Sequence, residues 1–219
     1  MADQPRQLTA PPCSAARLLQ YHDLSESIVS ALDARDTYTA SHSNRVAEMV
    51  LVLAAALGLG PDETTLIHIA AHLHDIGKIK ASRLLYVEQE DHNLVVKQMN
   101  YLRTHPFLGF EILKREGYSE FIQESILFHH ENFDGSGYPS NLSGDTIPIG
   151  ARVLRICDVF AALTTRKGYR PAHDADSALD FMISDVKNFD MKIFLKFMNM
   201  INDRDIAKEM NKSLIDFNN

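Results

Sequence analysis

Little in this sequence supports disulfides, a membrane span, strands or a nucleic-acid polymer. Its 219 residues include two cysteines, Cys13 and Cys157, too few for a disulfide scaffold and in keeping with a cytoplasmic chain. The longest uninterrupted apolar run, Met49 to Leu57, has nine residues, roughly half of what a membrane-spanning helix requires. No basic–apolar–small segment opens the chain, so no secretory leader is expected. Basic residues are outnumbered: 22 Lys and Arg against 29 Asp and Glu leave a net charge of −7, which argues against sequence-independent binding to nucleic acid. Val-Ile-Thr alternation over strand-length windows is missing, as are internal repeats and low-complexity tracts. What remains is an ordinary globular composition, 45% hydrophobic and 23% charged, at a length suited to one domain. Ten histidines are the one excess.

The pattern is helical, and an all-α domain is expected. Residues 1–20 begin polar and proline-rich and read as a flexible lead. The domain proper is expected over 21–202, followed by a polar tail at 203–219. Leu24, Ile28 and Leu32 fall on one helical face, and Val46, Met49, Val50, Leu53 and Leu57 mark a second helix that Gly58 or Gly60 ends. Gly60-Pro61-Asp62-Glu63 predicts a turn into a third helix carrying Leu66, Ile69, Ala70 and Leu73. Further helices are expected near 91–103, 106–116, 119–130 and 148–165, with Pro106 and Pro148 as first-turn residues. Two or three more fill 174–202, with Met182, Ile183, Phe194, Leu195 and Phe197 available for the core. One glycine-rich loop interrupts the helices, Asp134-Gly135-Ser136-Gly137-Tyr138-Pro139.

Chemistry concentrates at helix ends. His74-Asp75 closes one apolar helix and His129-His130 another, while His105 precedes Pro106 at a helix start. His42 lies upstream, and Asp158 sits inside the apolar stretch Val153 to Phe160, where an ionised carboxylate is costly unless paired or bound to metal. Imidazoles and carboxylates without thiolate suit Fe, Mn, Zn, Ni or Co, and the shortage of cysteine excludes a zinc–thiolate structural site. Five histidines and two aspartates exceed the needs of one ion, so two metals are the natural count, with Asp75 able to bridge. Taken singly, each helix-end histidine reads as a cap or surface residue. His22, His68, His72, His92 and His173 are left as structural or surface residues. The Gly135-x-Gly137 fragment lacks the third glycine and the preceding strand of a dinucleotide loop, and no nucleophile sits on a recognisable elbow.

In order, His42, His74-Asp75-Ile76-Gly77-Lys78, His105-Pro106, His129-His130-Glu131, Asp134-Gly135-Ser136-Gly137-Tyr138-Pro139 and Asp158 resemble the HD-GYP family of HD-superfamily phosphodiesterases. The likeness runs from about Leu24 to about Met200 and takes in Asn188-Phe189-Asp190. It implies a single all-helical HD-type domain with a glycine-rich GYP loop, hydrolysing cyclic di-GMP to the linear dinucleotide, with a second cut to GMP left open. The ligands it implies are His42, His74, Asp75 and Asp158 for one metal, and His105, His129 and His130 with shared Asp75 for the second. Two divalent transition-metal ions, Fe or Mn foremost and otherwise Ni, Co or Zn, are the implied cofactors. They would lower the pKa of a bridging water and clamp the attacking and leaving oxygens. Lys78 matches the family lysine that contacts the scissile phosphate; Tyr138, Lys167 and Arg170 match substrate-binding groups. A third-metal glutamate found in some members is Tyr38 here, which favours two metals.

The chain departs from the family pattern at Ala161, where a second aspartate is usual, and at Arg166-Lys167-Gly168. Residue 161 follows Asp158 by three positions and shares its side of the helix. Lysine at 167 keeps the charge but loses the bidentate fork of arginine. Two rival readings therefore accompany the first. One is a catalytically weak relative that binds the nucleotide or, through the GYP loop, a protein partner; the other is an HD hydrolase acting on a different phosphoester. No membrane and no nucleic-acid polymer are expected as partners, and the oligomeric state is not legible.

Overall fold

The first helical repeat becomes α1 (Ala15–Asp33) in the computed structural model, which describes residues 15–33, 37–80, 103–166 and 171–203. The helix starts inside the stretch expected as a lead, and Leu18 and Tyr21 are buried there. Leu24, expected on the apolar face, is instead 45% exposed. Tyr21 fixes the rotation: its hydroxyl donates to the Gly117 carbonyl at 2.7 Å and its ring stacks on Tyr118 at 4.6 Å. The buried line is therefore Leu18, Tyr21 and Ser25, with Ile28 partly covered, in steps of three and four residues.

Helix α2 (Thr37–Leu57) buries Val46, Met49, Val50 and Leu53. It ends as expected, because Gly58 turns the chain with φ of +72°, a left-handed conformation that suits glycine. Gly60 then caps α3 (Pro61–Leu73), with Pro61 at its start and Asp62 and Glu63 complementing the first-turn dipole. Leu66, Ile67, Ile69, Ala70, Ala71 and Leu73 of α3 are fully buried. The chain leaves through a turn over His74–Gly77 and resumes helically at 78–80. The helix expected near 91–103 lies outside the described residues except for Arg103.

Next come α4 (His105–Arg115), with Pro106 in its first turn as expected, and α5 (Glu120–Leu127), capped by the Ser119 hydroxyl. Helix α5 stops three residues before the expected end, which leaves His129 and His130 in the turn that follows. After the glycine-rich loop, α6 (Ile149–Thr164) is capped by Pro148, and α7 (Ala175–Ser184) and α8 (Met191–Asn202) begin at the aspartate caps Asp174 and Asp190. Met182, Phe194 and Phe197 enter the core, whereas Ile183 and Leu195 are each 50% exposed. Each exposed residue directly follows a buried one, about 100° further round its helix.

Helices α3 and α6 are the centre of the assembly. Helix α3 packs on α1, α2, α5 and α6, while α6 also meets α2, α5, α7 and α8. All regular elements among the described residues are helical, in agreement with the sequence. No helix among them is long and apolar enough to cross a membrane.

Candidate functional site

Five helix-derived segments deliver side chains to one place. His42 comes from α2, His74 and Asp75 from the turn closing α3, and His105 from the first residue of α4. His129 and His130 come from the turn after α5, and Asp158 from the middle of α6. Gly77 lets these segments meet. A Cβ there would overlap the His105 carbonyl oxygen and lie 2.7 Å from the Gly109 nitrogen, so the turn after α3 can lie against α4 only without a side chain.

The donors fall into two groups able to hold a metal: His42, His74 and Asp75, and His105, His129 and His130. Asp158 joins the first, with Oδ1 2.9 Å from His42 Nε2 and 3.8 Å from His74 Nε2. Asp75 faces both. Its Oδ2 lies 3.4 Å from His74 Nε2 and its Oδ1 3.4 Å from His105 Nε2. The Nε2 atoms of His105 and His129 are 3.3 Å apart, close to the ~3.3 Å edge of a tetrahedron drawn with metal–nitrogen bonds near 2.0–2.1 Å. His74 Nε2 is buried without a hydrogen-bond partner, although it points at two carboxylates. An orphaned imidazole nitrogen among converging nitrogen and oxygen donors is a donor set that fits a transition-metal ion.

Protonation states agree with that use. Burial opposes an ionised Asp75, yet His74, Lys78 and His105 hold its carboxyl well below the usual carboxylate range. Burial opposes Asp158 in the same way and is outweighed by His42, His74 and His130. His129 is pushed well below the ordinary imidazole value by burial and then by His130, His105 and His74. Burial also pushes His130 down to about 3, with Asp158 opposing and His105 and Arg155 adding to the effect. His74 moves the other way, because Asp75 and Asp158 overcome the burial that opposes its charge. Ionised carboxylates beside the unprotonated rings of His129 and His130 suit the binding of a cation.

Lys78 lies at the mouth, its Nζ 2.5 Å from Asp75 Oδ2 and its side chain 38% exposed. Tyr138 faces the other flank: its ring stacks on His130 at 4.9 Å, and the guanidinium carbon of Arg103 lies 5.3 Å from the ring centroid. The glycine-rich loop is fixed beneath it. Glu131 accepts the Ser140 N–H at 2.6 Å, and Gly137 packs so closely on Glu131 and Asn132 that a Cβ would lie 2.6 Å from the Glu131 carbonyl carbon. Of the residues expected at the site, Lys167 and Arg170 lie outside the described residues; all the others converge. Sequence reasoning gave no role to Arg103, Glu131, Asn132 and Arg155. Arg155 had a signal, since it precedes Asp158 by three positions and so shares its helix face.

A protein-family model described as an HD domain matches residues 26–193. The chain is 35% identical over 158 residues to the cyclic di-GMP phosphodiesterase response regulator RpfG of Xanthomonas campestris, covering 71% of this chain and 41% of that protein. It is 33% identical over 174 residues to the 3'3'-cGAMP-specific phosphodiesterase 2 of Vibrio cholerae, covering 78% and 33%. The chain thus spans well under half the length of these relatives. Among solved structures, a cyclic GMP-AMP-specific phosphodiesterase of Vibrio cholerae superposes with a TM-score of 0.60 at 16% identity, covering 77% of this chain and 45% of that one. An HDG"Y"P protein of Bdellovibrio bacteriovorus also gives 0.60, at 17% identity and 86% and 65% coverage. Both have the same helical fold.

Proposed function

Because the chain belongs to the HD domain family and carries the motifs of its HD-GYP branch, we propose that it hydrolyses a phosphodiester bond of cyclic di-GMP, giving the linear dinucleotide. The observation that carries this reading is Asp75, which stands between two imidazole-rich groups and meets Lys78 at the mouth of the site. His42, His74, Asp75 and Asp158 would hold one divalent ion and Asp75, His105, His129 and His130 a second. Fe or Mn is favoured over Ni, Co or Zn, and the pair supplies Lewis acidity at the phosphoester.

The chain's own residues do the rest. Lys78 exchanges its contact with Asp75 for a phosphoryl oxygen and neutralises charge that develops there. Tyr138 presents a phenol whose pKa is raised to about 12, by burial first, so it stays a neutral donor beside the nucleotide. Its ring offers a stacking face for a guanine base. Lys167 and Arg170, carried over from the family pattern, would bind the second phosphate. The depressed pKa values of His129 and His130 keep both rings unprotonated at neutral pH. With two cysteines and no thiolate in the site, the activity suits the reducing cytoplasm.

The test is product analysis after incubating Mn²⁺- or Fe²⁺-loaded protein with cyclic di-GMP, 3'3'-cGAMP and cyclic di-AMP. Release of linear dinucleotide from cyclic di-GMP, fastest of the three, is the expected result. Tight cyclic di-GMP binding without turnover would replace the enzyme with the weak-relative reading, and turnover of another substrate alone would correct the substrate.

A further inference from the structure

Two histidines of the site carry an acceptor behind the ring. Nδ1 of His74 lies 2.7 Å from the Ala71 carbonyl oxygen, and Nδ1 of His129 lies 2.6 Å from that of Ile126. A carbonyl only accepts, so each Nδ1 carries the proton and each Nε2 turns its lone pair toward the site. At His130 this relationship is reversed. Its Nδ1 lies 3.5 Å from Nη1 of Arg155, and a guanidinium only donates.

Both tautomers of His130 then oppose ligation. With the lone pair on Nδ1, Nε2 carries the proton and the guanidinium stands where an ion would have to be. With the lone pair on Nε2, the N–H at Nδ1 abuts a second donor and a positive charge. Arg155 is also held in place. Its Nε and Nη2 donate to Asn132 Oδ1 at 3.2 and 2.8 Å, and Asn132 Nδ2 donates to Ser136 Oγ at 2.9 Å. The loop that follows His130 therefore keeps the cation against it.

We infer that Arg155 makes the His105–His129–His130 position the weaker of the two metal sites, its ion competing with the Arg155–His130 contact. The His42–His74–Asp75–Asp158 position loads first, because it gathers two carboxylates, whereas a guanidinium nitrogen lies 3.5 Å from Nδ1 of His130 in the other group. This inference rests on the reading of both groups as metal positions. It adds an order of loading and names the residue that sets it.

The experiment titrates metal-free protein with Mn²⁺ alone and follows free Mn²⁺ by electron paramagnetic resonance. Wild type, Arg155→Gln, Arg155→Lys and His130→Ala are compared, with folding checked by melting temperature. Wild type is expected to bind two ions in separate steps. Arg155→Gln should tighten the weaker step by about tenfold or more, within the range typical of residues that orient a ligand, and move the stronger step little. Arg155→Lys keeps a donor and a charge and should stay close to wild type, which covers the case of a poorly folded glutamine variant. In the His130→Ala background, Arg155→Gln should change nothing. Two ions of equal affinity in wild type, or an unchanged weaker step in a folded Arg155→Gln protein, overturns the role of Arg155 and leaves the two-metal reading standing. Failure of wild type to bind any Mn²⁺ overturns both.

Discussion

The backbone carbonyl of His105 occupies the space that a side chain on Gly77 would fill. The relationship is steric, yet its consequence is chemical, because Asp75 Oδ1 reaches His105 Nε2 across the same contact at 3.4 Å. Gly77→Ala must push the turn after α3 away from α4, since the obstructing atoms are backbone and cannot rotate aside. Forced overpacking of this kind costs about 1–3 kcal/mol. We expect a lowered melting temperature together with loss of about one metal equivalent by elemental analysis. A Gly77→Ala protein with unchanged metal content would mean that the approach of α3 to α4 does not position the second group.

Asp75→Ala should eliminate turnover and deplete metal from both positions, because one carboxylate faces both groups. His105→Ala should remove mainly one equivalent. The pair of variants separates a shared ligand from a local one. Two retained ions and a near-normal rate in Asp75→Ala would contradict the assignment of Asp75.

Most of the site was legible because its parts are local signals: His74-Asp75 and His129-His130 are adjacent pairs, and Asp158 is a carboxylate in an apolar run. Helix limits were legible where Gly58 and Pro61 impose them. Two features were not, and both depend on partners far away in sequence. The rotation of α1 follows from Tyr21 reaching Gly117, 96 positions away, which turns Leu24 outward. Helical periodicity puts Arg155 on the Asp158 face, but its contact with His130 forms only because the loop after α5 folds Asn132 and His130 onto α6.

A pH effect is expected away from the site. His68 is pushed down to about 3 by burial, then by His72 and His22, whose rings lie 4.6 and 5.5 Å from it. In the unfolded chain the same imidazole titrates near 6.5. Between about pH 6.5 and pH 3 the unfolded state therefore binds a proton that the folded state refuses, and stability falls as pH falls. His68→Gln should flatten the decline in melting temperature between about pH 7 and about pH 5. An equally steep decline in that variant would assign the sensitivity to other groups.

Ala161 is the departure from the family pattern that invites repair, and the structure sets the terms. Its side chain is fully buried and belongs to the apolar core cluster, so Ala161→Asp places a carboxylate where this chain has packed a methyl group. An unpartnered buried polar group costs about 1–3 kcal/mol. The sign of its pH dependence is distinctive. Burial raises the pKa of the new carboxyl above its unfolded value near 3.9, so the penalty is full at neutral pH and shrinks as the pH falls through the raised folded value. The gap in melting temperature between wild type and Ala161→Asp should therefore narrow on acidification. A gap that widens on acidification would mean that a cationic partner holds the carboxyl below its unfolded value. A rise in cyclic di-GMP hydrolysis in that same variant would then identify position 161 as a support for the metal ligands that this chain has given up.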